Sequence, residues 1–327
     1  ACSPGPSKPS GLCVADPDPA AARRRASAAA STMICEFLDA TNFFATWALL
    51  AALGGATVLA ISSVAFAKLY VNPTFEIWRW KTNPEYPSPA IVKDEILKSL
   101  KGVIMVTICP TATLYLAQHG MSKGYCGVNG EHDLKSHALQ FLAVWIISDF
   151  YEFFYHFLGH SIEYLWNQHR AHHKFHNPSP FAVIADDWFD QFFRGLPLLM
   201  FPIVTPINVD LMFAQWALLF YLYGTFIHTG HELPQLSAHQ PIINTSYHHH
   251  LHHAISTNRR PLHTGFFFKT WDQIFGSTHK GKCFCCQCQH AEGKRTEKEF
   301  KAAQIPDYSV LLSPSFWLSS QPAAKAA

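Results

Sequence analysis

Apolar and polar positions alternate along this chain in long blocks. Residues 43–67 are uncharged throughout and long enough to cross a bilayer as one helix. Residues 103–118 form a shorter apolar run interrupted by Pro110, which spans only if the bilayer thins or the helix extends. Residues 138–158 begin apolar and end in the polar-aromatic stretch SDFYEFFYHFL. Residues 196–229 are apolar but broken by Pro202, Pro206, Asn208 and Asp210, which predicts a helical hairpin rather than one span. The pattern therefore predicts an all-α, multi-span transmembrane bundle with five passages.

Charge places these passages in a membrane frame. The connection 68–101 carries Lys68, Arg79, Lys81, Lys93, Lys98 and Lys101, whereas 119–137 carries only Lys123 and Lys135. The basic connection is expected on the cytosolic side. Counting onward puts His156 and the end of the hairpin on that same side. The N-terminus then falls across the membrane, a placement that Arg23-Arg24-Arg25 opposes unless that segment is removed.

Composition supports the lipid-solvated reading. The chain has 327 residues, 49% hydrophobic and only 15% charged, where a soluble domain carries about 25% charged residues. A net charge of +2 implies no polyelectrolyte partner, so nucleic-acid binding is not expected. Four regions follow: a disordered segment 1–32, an N-terminal transmembrane region 33–137, a histidine-rich domain 138–280 and a C-terminal tail 281–327. The first is rich in Ala, Ser, Pro and Arg, so it also fits an organelle transit sequence.

Histidine is the anomaly. Fourteen of the 20 histidines lie between residues 156 and 253. They form His156-Phe157-Leu158-Gly159-His160, then His169-Arg170-Ala171-His172-His173, and last His249-His250-Leu251-His252-His253, with His228-Thr229-Gly230-His231 between. On a helix, positions three and four apart share a face. Each cluster can therefore aim two or three imidazoles at one place. Eight to ten imidazoles exceed what one tetrahedral zinc needs. They suit two metals of higher coordination number, although imidazole by itself accepts iron, copper, nickel or zinc. The expected ligands are His156, His160, His169, His172, His173, His228, His231, His249, His252 and His253. His248 and His250 break the spacing and are expected beside ligands. His176, His239 and His263 are expected around the site or at the surface, and the remaining histidines outside it. Asp149 is expected either to orient an imidazole through the ring nitrogen facing away from the metal or to serve as a buried packing residue, and Asp186 and Asp187 either to orient imidazoles or to start a helix before Trp188. Free imidazole chemistry predicts metal loss as pH falls toward about 6.

Nine cysteines show no regular framework, and Cys283, Cys285, Cys286 and Cys288 crowd into the tail. Unmodified cytosolic thiols, metal ligands and palmitoylation sites are the readings open there. The aromatic run from Phe150 to Phe157 is expected either to wall a lipid entrance or to form an interfacial belt.

The ordered set of HxxxH, HxxHH, midway His and final HxxHH resembles the fatty acid hydroxylase/sterol desaturase superfamily. The resemblance runs from about Ser148 to Ser277. Asp149 precedes the first box as it does in that family. Pro178-Ser179-Pro180-Phe181-Ala182 and Pro241-Ile242-Ile243-Asn244-Thr245-Ser246 resemble its sterol C5-desaturase (lathosterol oxidase) branch. Thr270-Trp271-Asp272 with Ile274-Phe275-Gly276 is similar to its closing signature. His228-Thr229-Gly230 with Glu232-Leu233-Pro234 is similar to 4-methylsterol oxidases. Two departures stand out: Asp187-Trp188 replaces a usual His-Pro, and Gln273 replaces the Arg that usually follows Trp-Asp.

The resemblance implies a histidine-rich cytosolic cap holding two iron ions, O2 as co-substrate and a membrane lipid, a sterol above all, as substrate. It implies endoplasmic reticulum residence and electrons from a cytochrome b5-type donor with its reductase. No His-Pro-Gly-Gly haem motif is present, so the donor is expected as a separate protein. Sterol C5-type desaturation is the leading expectation. Sterol or fatty-acyl hydroxylation, 4-methylsterol oxidation and non-enzymatic metal binding are the alternatives.

Overall fold

A computed structural model of the chain describes residues 38, 40, 42–127, 132–256 and 259–319. The expectation for 1–32 lies outside these residues. The fold is helical, with one two-residue strand pair among the described residues.

Helix α1, Phe43–Phe66, starts where the Asn42 side chain accepts the Ala45 N–H. It runs on through a π turn, Ala67–Val71, so Phe43–Val71 is one apolar rod. After a single turn, α2 (Phe75–Trp78), helix α3, Pro89–Val106, begins with Ser88 as its cap and Pro89 in its first turn. Helix α4, Ile108–Gln118, continues it past Thr107. The short run 103–118 of the sequence reading is thus the second half of a 30-residue passage, Pro89–Gln118.

Helix α5, Leu134–Ser161, is capped by Asp133, which accepts the Ser136 N–H. Its 28 residues measure about 42 Å at 1.5 Å per residue. The hydrocarbon layer is about 30 Å thick, so roughly the last two turns, with His156 and His160, emerge beyond it.

The predicted hairpin is present, and its arms are unequal. Helices α6 (Glu163–His169), α7 (Trp188–Arg194) and α8 (Leu196–Val204) follow α5. Residues 188–204 descend as α7 and α8, joined at Gly195. The ascent is helix α9 (Val209–Gln215), a π segment (Trp216–Leu222) and helix α10 (Tyr223–His228). Val209–His228 is long and apolar enough to cross a bilayer, as are the three rods before it; 188–204 is not among these four. The descending arm therefore completes a fifth passage only as a broken helix packed on protein.

The end of the bundle away from the histidines is closed by polar contacts. Strand β1 (Gly124–Tyr125) pairs with β2 (Ile207–Asn208) in parallel, and Lys123 N–H donates to Pro202 C=O at 2.7 Å. The Ala40 N–H donates to Gln118 Oε1 at 2.8 Å. Cys126, at this end, is disulfide-bonded.

Polar side chains also bind helices to the segment after the second box. The Ser62 hydroxyl donates to Pro180 C=O at 2.9 Å, and Ser99 to Phe181 C=O. The buried Glu95 accepts from both the N–H and the hydroxyl of Ser179. A Cβ on Gly102 would stand 2.4 Å from Ile184 C=O, so only glycine lets α3 approach so closely. The Pro178–Ala182 motif is thereby a wedge held among α1, α3 and α10. It sets the exit of the second box.

Helices α11 (Ser246–Ile255), α12 (Thr270–Phe275), α13 (Cys286–Ala291), α14 (Glu297–Ala302) and α15 (Pro314–Leu318) complete the cap. The tail after residue 280 packs back on the body. Lys93 Nζ donates to the carbonyls of Phe316, Trp317 and Ser319 at 2.8–3.0 Å, and Tyr308 is buried against Phe66.

Candidate metal centre

Four helix ends deliver the imidazoles. The C-terminal turns of α5 present His156 and His160. Helix α6 stops at His169, and a tight 3₁₀ turn, His172–Lys174, carries the rest of the second box. Helix α10 ends on His228, and α11 carries the third box through its full length.

Nine of the ten expected ligands converge in two groups. His156, His160, His169, His173 and His252 bring one nitrogen each to within 4.8 Å of one another, and His172, His228, His249 and His253 do the same. All nine are buried. Each HxxHH box is split between the groups. Its first and last histidines go to one and its middle histidine to the other, so the groups share walls: the His172 and His253 rings lie 4.5 Å apart, and those of His173 and His252 4.6 Å.

His231 does not join them. Helix α10 ends before it, and Gly230, at φ 62°, turns the chain away. His231 then pairs as an isolated bridge with Lys81, and its Nδ1 faces Thr229 C=O at 2.8 Å beside the Tyr70 ring.

The proton positions of the rings follow from their outer partners. His156 Nδ1 faces Thr264 C=O at 3.1 Å, His252 Nδ1 faces Leu262 C=O at 2.6 Å, and His228 Nδ1 faces Gly224 C=O at 2.7 Å. A carbonyl only accepts, so each Nδ1 carries the proton and each Nε2 a lone pair. The Nε2 atoms of His156 and His252 have no hydrogen-bond partner though buried. His249 Nε2 stands 2.8 Å from His228 Nε2, and 3.1 Å from His253 Nε2. The buried lone pairs of His156 and His252, left without a donor, are costly. A cation among them resolves that cost, and two groups fit two metal ions.

Burial first, and then neighbouring histidines, push the pKa values of His172, His173, His249 and His253 far below the ordinary imidazole value. His252 shifts the same way, chiefly through burial. These rings are therefore neutral, as metal ligands must be.

Of the expected carboxylates Asp186 lies beside the imidazoles, joined by Asp190, which was not expected. His169 Nδ1 lies 2.8 Å from Asp190 Oδ2, and His172 Nδ1 lies 3.1 Å from Asp186 Oδ1. Half-buried Arg194 offsets this charge, with Nη1 2.5 Å from Glu152 and Nε 3.8 Å from Asp190. Burial disfavours the ionised form of Asp186 and raises its pKa. It opposes the ionised form at Asp190 too, but His169 and Arg194 outweigh it and hold that carboxyl low. Asp187 instead caps α7, accepting the Phe189 N–H at 3.1 Å. Its side chain forms the helix start because Trp188 follows directly.

Asp149 acts on the site at one remove. It accepts the N–H groups of Phe267 and Phe268 and the Trp271 indole N–H, the last at 2.7 Å. Asp272 accepts from Thr264 N–H at 3.0 Å and Gly265 N–H at 2.8 Å. The closing Trp-Asp pair thus ties the loop that offers Thr264 C=O to His156 back onto α5. Phe150 and Phe154 stack on each other and pack on Phe275. Of the groups sequence reasoning missed, Asp190 carried a signal, an acid inside the apolar run Trp-Phe-Asp-Gln-Phe-Phe. The backbone carbonyls carried none, since every residue has one.

Comparison with known proteins agrees with this geometry. The family model for fatty acid hydroxylases matches residues 141–277, which hold every box. Lathosterol oxidase of Rattus norvegicus is 31% identical over 216 residues, covering 64% of this chain and 68% of that protein. The Delta(7)-sterol 5(6)-desaturase of Gibberella zeae is 26% identical over 218 residues, 66% of this chain and 58% of its own length. Lathosterol oxidase of Homo sapiens is 27% identical over 199 residues, 58% of this chain and 63% of that protein. The chain thus spans about three fifths to two thirds of these relatives. No solved structure matches it. With its boxes inside the matched segment and its relatives sterol desaturases along most of the chain, the protein belongs to the fatty acid hydroxylase family.

Proposed function

We propose that this protein is a membrane di-iron oxidoreductase that uses O2 to desaturate a sterol, in the C5 manner of its named relatives. The two adjoining groups of buried, converging imidazole nitrogens carry this reading. His156, His160, His169, His173 and His252 hold one iron, and His172, His228, His249 and His253 the other. Bound iron supplies activation of O2 and removal of hydrogen from an unactivated C–H bond. The chain's own residues do the rest. Asp190 and the carbonyls of Thr264, Leu262 and Gly224 hold the rings they face in one tautomer. The ends of α5 and α10 place them at the edge of the hydrocarbon layer, within reach of a lipid.

Forming one double bond while O2 becomes two waters takes two hydrogens from the substrate and two electrons and two protons from outside. A cytochrome b5-type donor with its reductase supplies the electrons. Disulfide-bonded Cys126 lies at the opposite end of the bundle from the histidines. Disulfides persist in oxidising compartments, so that end belongs to the lumen of the endoplasmic reticulum and the histidines to the cytosol. The basic connection 68–101 supports the same orientation.

Lipid profiling of cells with and without the protein, under oxygen, tests this. The expected result is a sterol lacking two hydrogens, formed only with the protein and oxygen. A product that gains an oxygen atom would assign hydroxylation to the same centre. Stable iron without oxygen consumption would leave a metal-binding protein.

The pH dependence is a second expectation, and it revises the one from free imidazole. Because the fold holds these rings neutral, protons do not compete for them near pH 6. Iron content should stay flat from about pH 7.5 to about pH 5.5, measured as iron per chain after equilibration. The metal-free protein should behave oppositely. Its unfolded chain takes up protons below about pH 6.5 that the fold refuses, so its melting temperature falls as pH falls.

A further inference from the structure

The tail cysteines form a second constellation, remote from the boxes in sequence and built differently. His239, Cys283, Cys285 and Cys288 bring their ligand atoms within 4.8 Å of one another. His239 Nε2 stands 3.4 Å from Cys285 Sγ and 3.4 Å from Cys288 Sγ. The three cysteines are free of disulfides.

The distances decide what this cluster suits. A tetrahedral zinc with Zn–S of about 2.3 Å and Zn–N of about 2.0–2.1 Å sets nitrogen and sulfur ligands about 3.5 Å apart. The two observed separations match that edge. Three thiolates and one imidazole also match the closed ligand set of structural zinc, with no position left for a substrate. Cys286 is not part of the set; its N–H donates to Glu232 at 2.8 Å and it is buried on the other side.

We propose that His239, Cys283, Cys285 and Cys288 bind one structural zinc ion that fastens the C-terminal segment to the loop entering the third box. The surroundings give the ion a task. Tyr247 of α11 accepts the Phe284 N–H at 3.1 Å, and the Ser237 hydroxyl donates to Gln287 at 2.7 Å. Ala238, Tyr247, Leu251 and Cys285 form one small buried cluster. Leu251 lies between His250 and His252, so the zinc sits one packing layer from the iron ligands. From the other side, Lys269 Nζ donates to Ala238 C=O at 3.0 Å and to Gln240 C=O. The loop around His239 is thereby held on both flanks, and the ion would tie it to the tail a further time. The sequence reading put His239 around the iron site or at the surface; in this arrangement it is the fourth zinc ligand.

The test uses the full chain purified in detergent with its thiols reduced. Wild type is expected to bind about one zinc that a thiol-blocking mercurial releases. Cobalt in its place should give the charge-transfer absorption of thiolate ligands, which box histidines cannot give. Substituting exposed His239, as His239→Ala, should weaken zinc binding at least about tenfold, expose the tail to protease and leave iron in place; His239→Cys should restore zinc. Cys286→Ser should keep it. Cobalt uptake without the thiolate band, or His239→Ala binding zinc as tightly as wild type, would overturn the proposal. Neither readout involves iron or sterol turnover, so the outcome is separate from that of the proposed function.

Discussion

His252→Ala is expected to abolish sterol turnover and to lower iron from two ions per chain to one or fewer. His252 is fully buried between the groups, with its ring 4.4 Å from that of His156 and 4.9 Å from that of His160. The Leu262 carbonyl fixes its proton on Nδ1, so its unpartnered Nε2 is a dedicated electron-pair donor. Disturbing an outer partner of a metal ligand already costs about 10–100-fold in affinity. Losing the ligand itself should cost more. Iron per chain and the yield of desaturated sterol are the readouts. His231→Ala is the matched control. It removes a buried histidine of the same sequence neighbourhood that contacts neither group, and iron should stay. Full turnover in His252→Ala would remove this imidazole from the ligand set. Iron loss in His231→Ala would show that buried histidines here matter only for folding.

Asp190→Ala should separate positioning from packing. Asp190 holds the His169 ring at 2.8 Å and shares Arg194 with Glu152. Without the carboxylate, His169 loses the acceptor that keeps its proton on the outer nitrogen, and its basicity toward metal falls. Iron affinity, read by chelator competition, should drop about 10–100-fold. Stability should fall by about 3 kcal/mol, the lower range for breaking a buried ion pair, because Arg194 keeps Glu152. Asp190→Asn retains an accepting oxygen but no charge, so its iron affinity should lie between the two. Lost stability with unchanged iron affinity in both variants would reduce Asp190 to a packing residue.

Much of the fold was legible along the chain because a bilayer is a strict solvent. A backbone in hydrocarbon must satisfy its own hydrogen bonds, so each uncharged run of sufficient length had to be helical. The run 103–118 misled in one respect. Its polar first half, with Lys93, Asp94, Glu95 and Lys98, hid a helix that begins at Pro89. Those side chains turn toward the cap and the tail, where Glu95 binds Ser179 and Lys93 the last described carbonyls. The C-terminal tail, too, read as an appendage, and only packing shows it docked beside the third box.

Box spacing by itself predicted that the eight imidazoles of the three boxes would act together, with His228 and His231 as possible additions, because positions three and four apart on a helix share a face. It did not determine how they are divided. Within each HxxHH the outer histidines serve one group and the middle one the other, since two groups approach each helix from different sides. That sorting depends on the angles at which α5, α10 and α11 end, which are set by contacts from residues far apart in sequence. The same holds for His231, excluded by one left-handed glycine, and for Asp190 and the carbonyls of Gly224, Leu262 and Thr264. A lone pair aimed at a ring nitrogen is a matter of geometry, and only the folded chain brings it there.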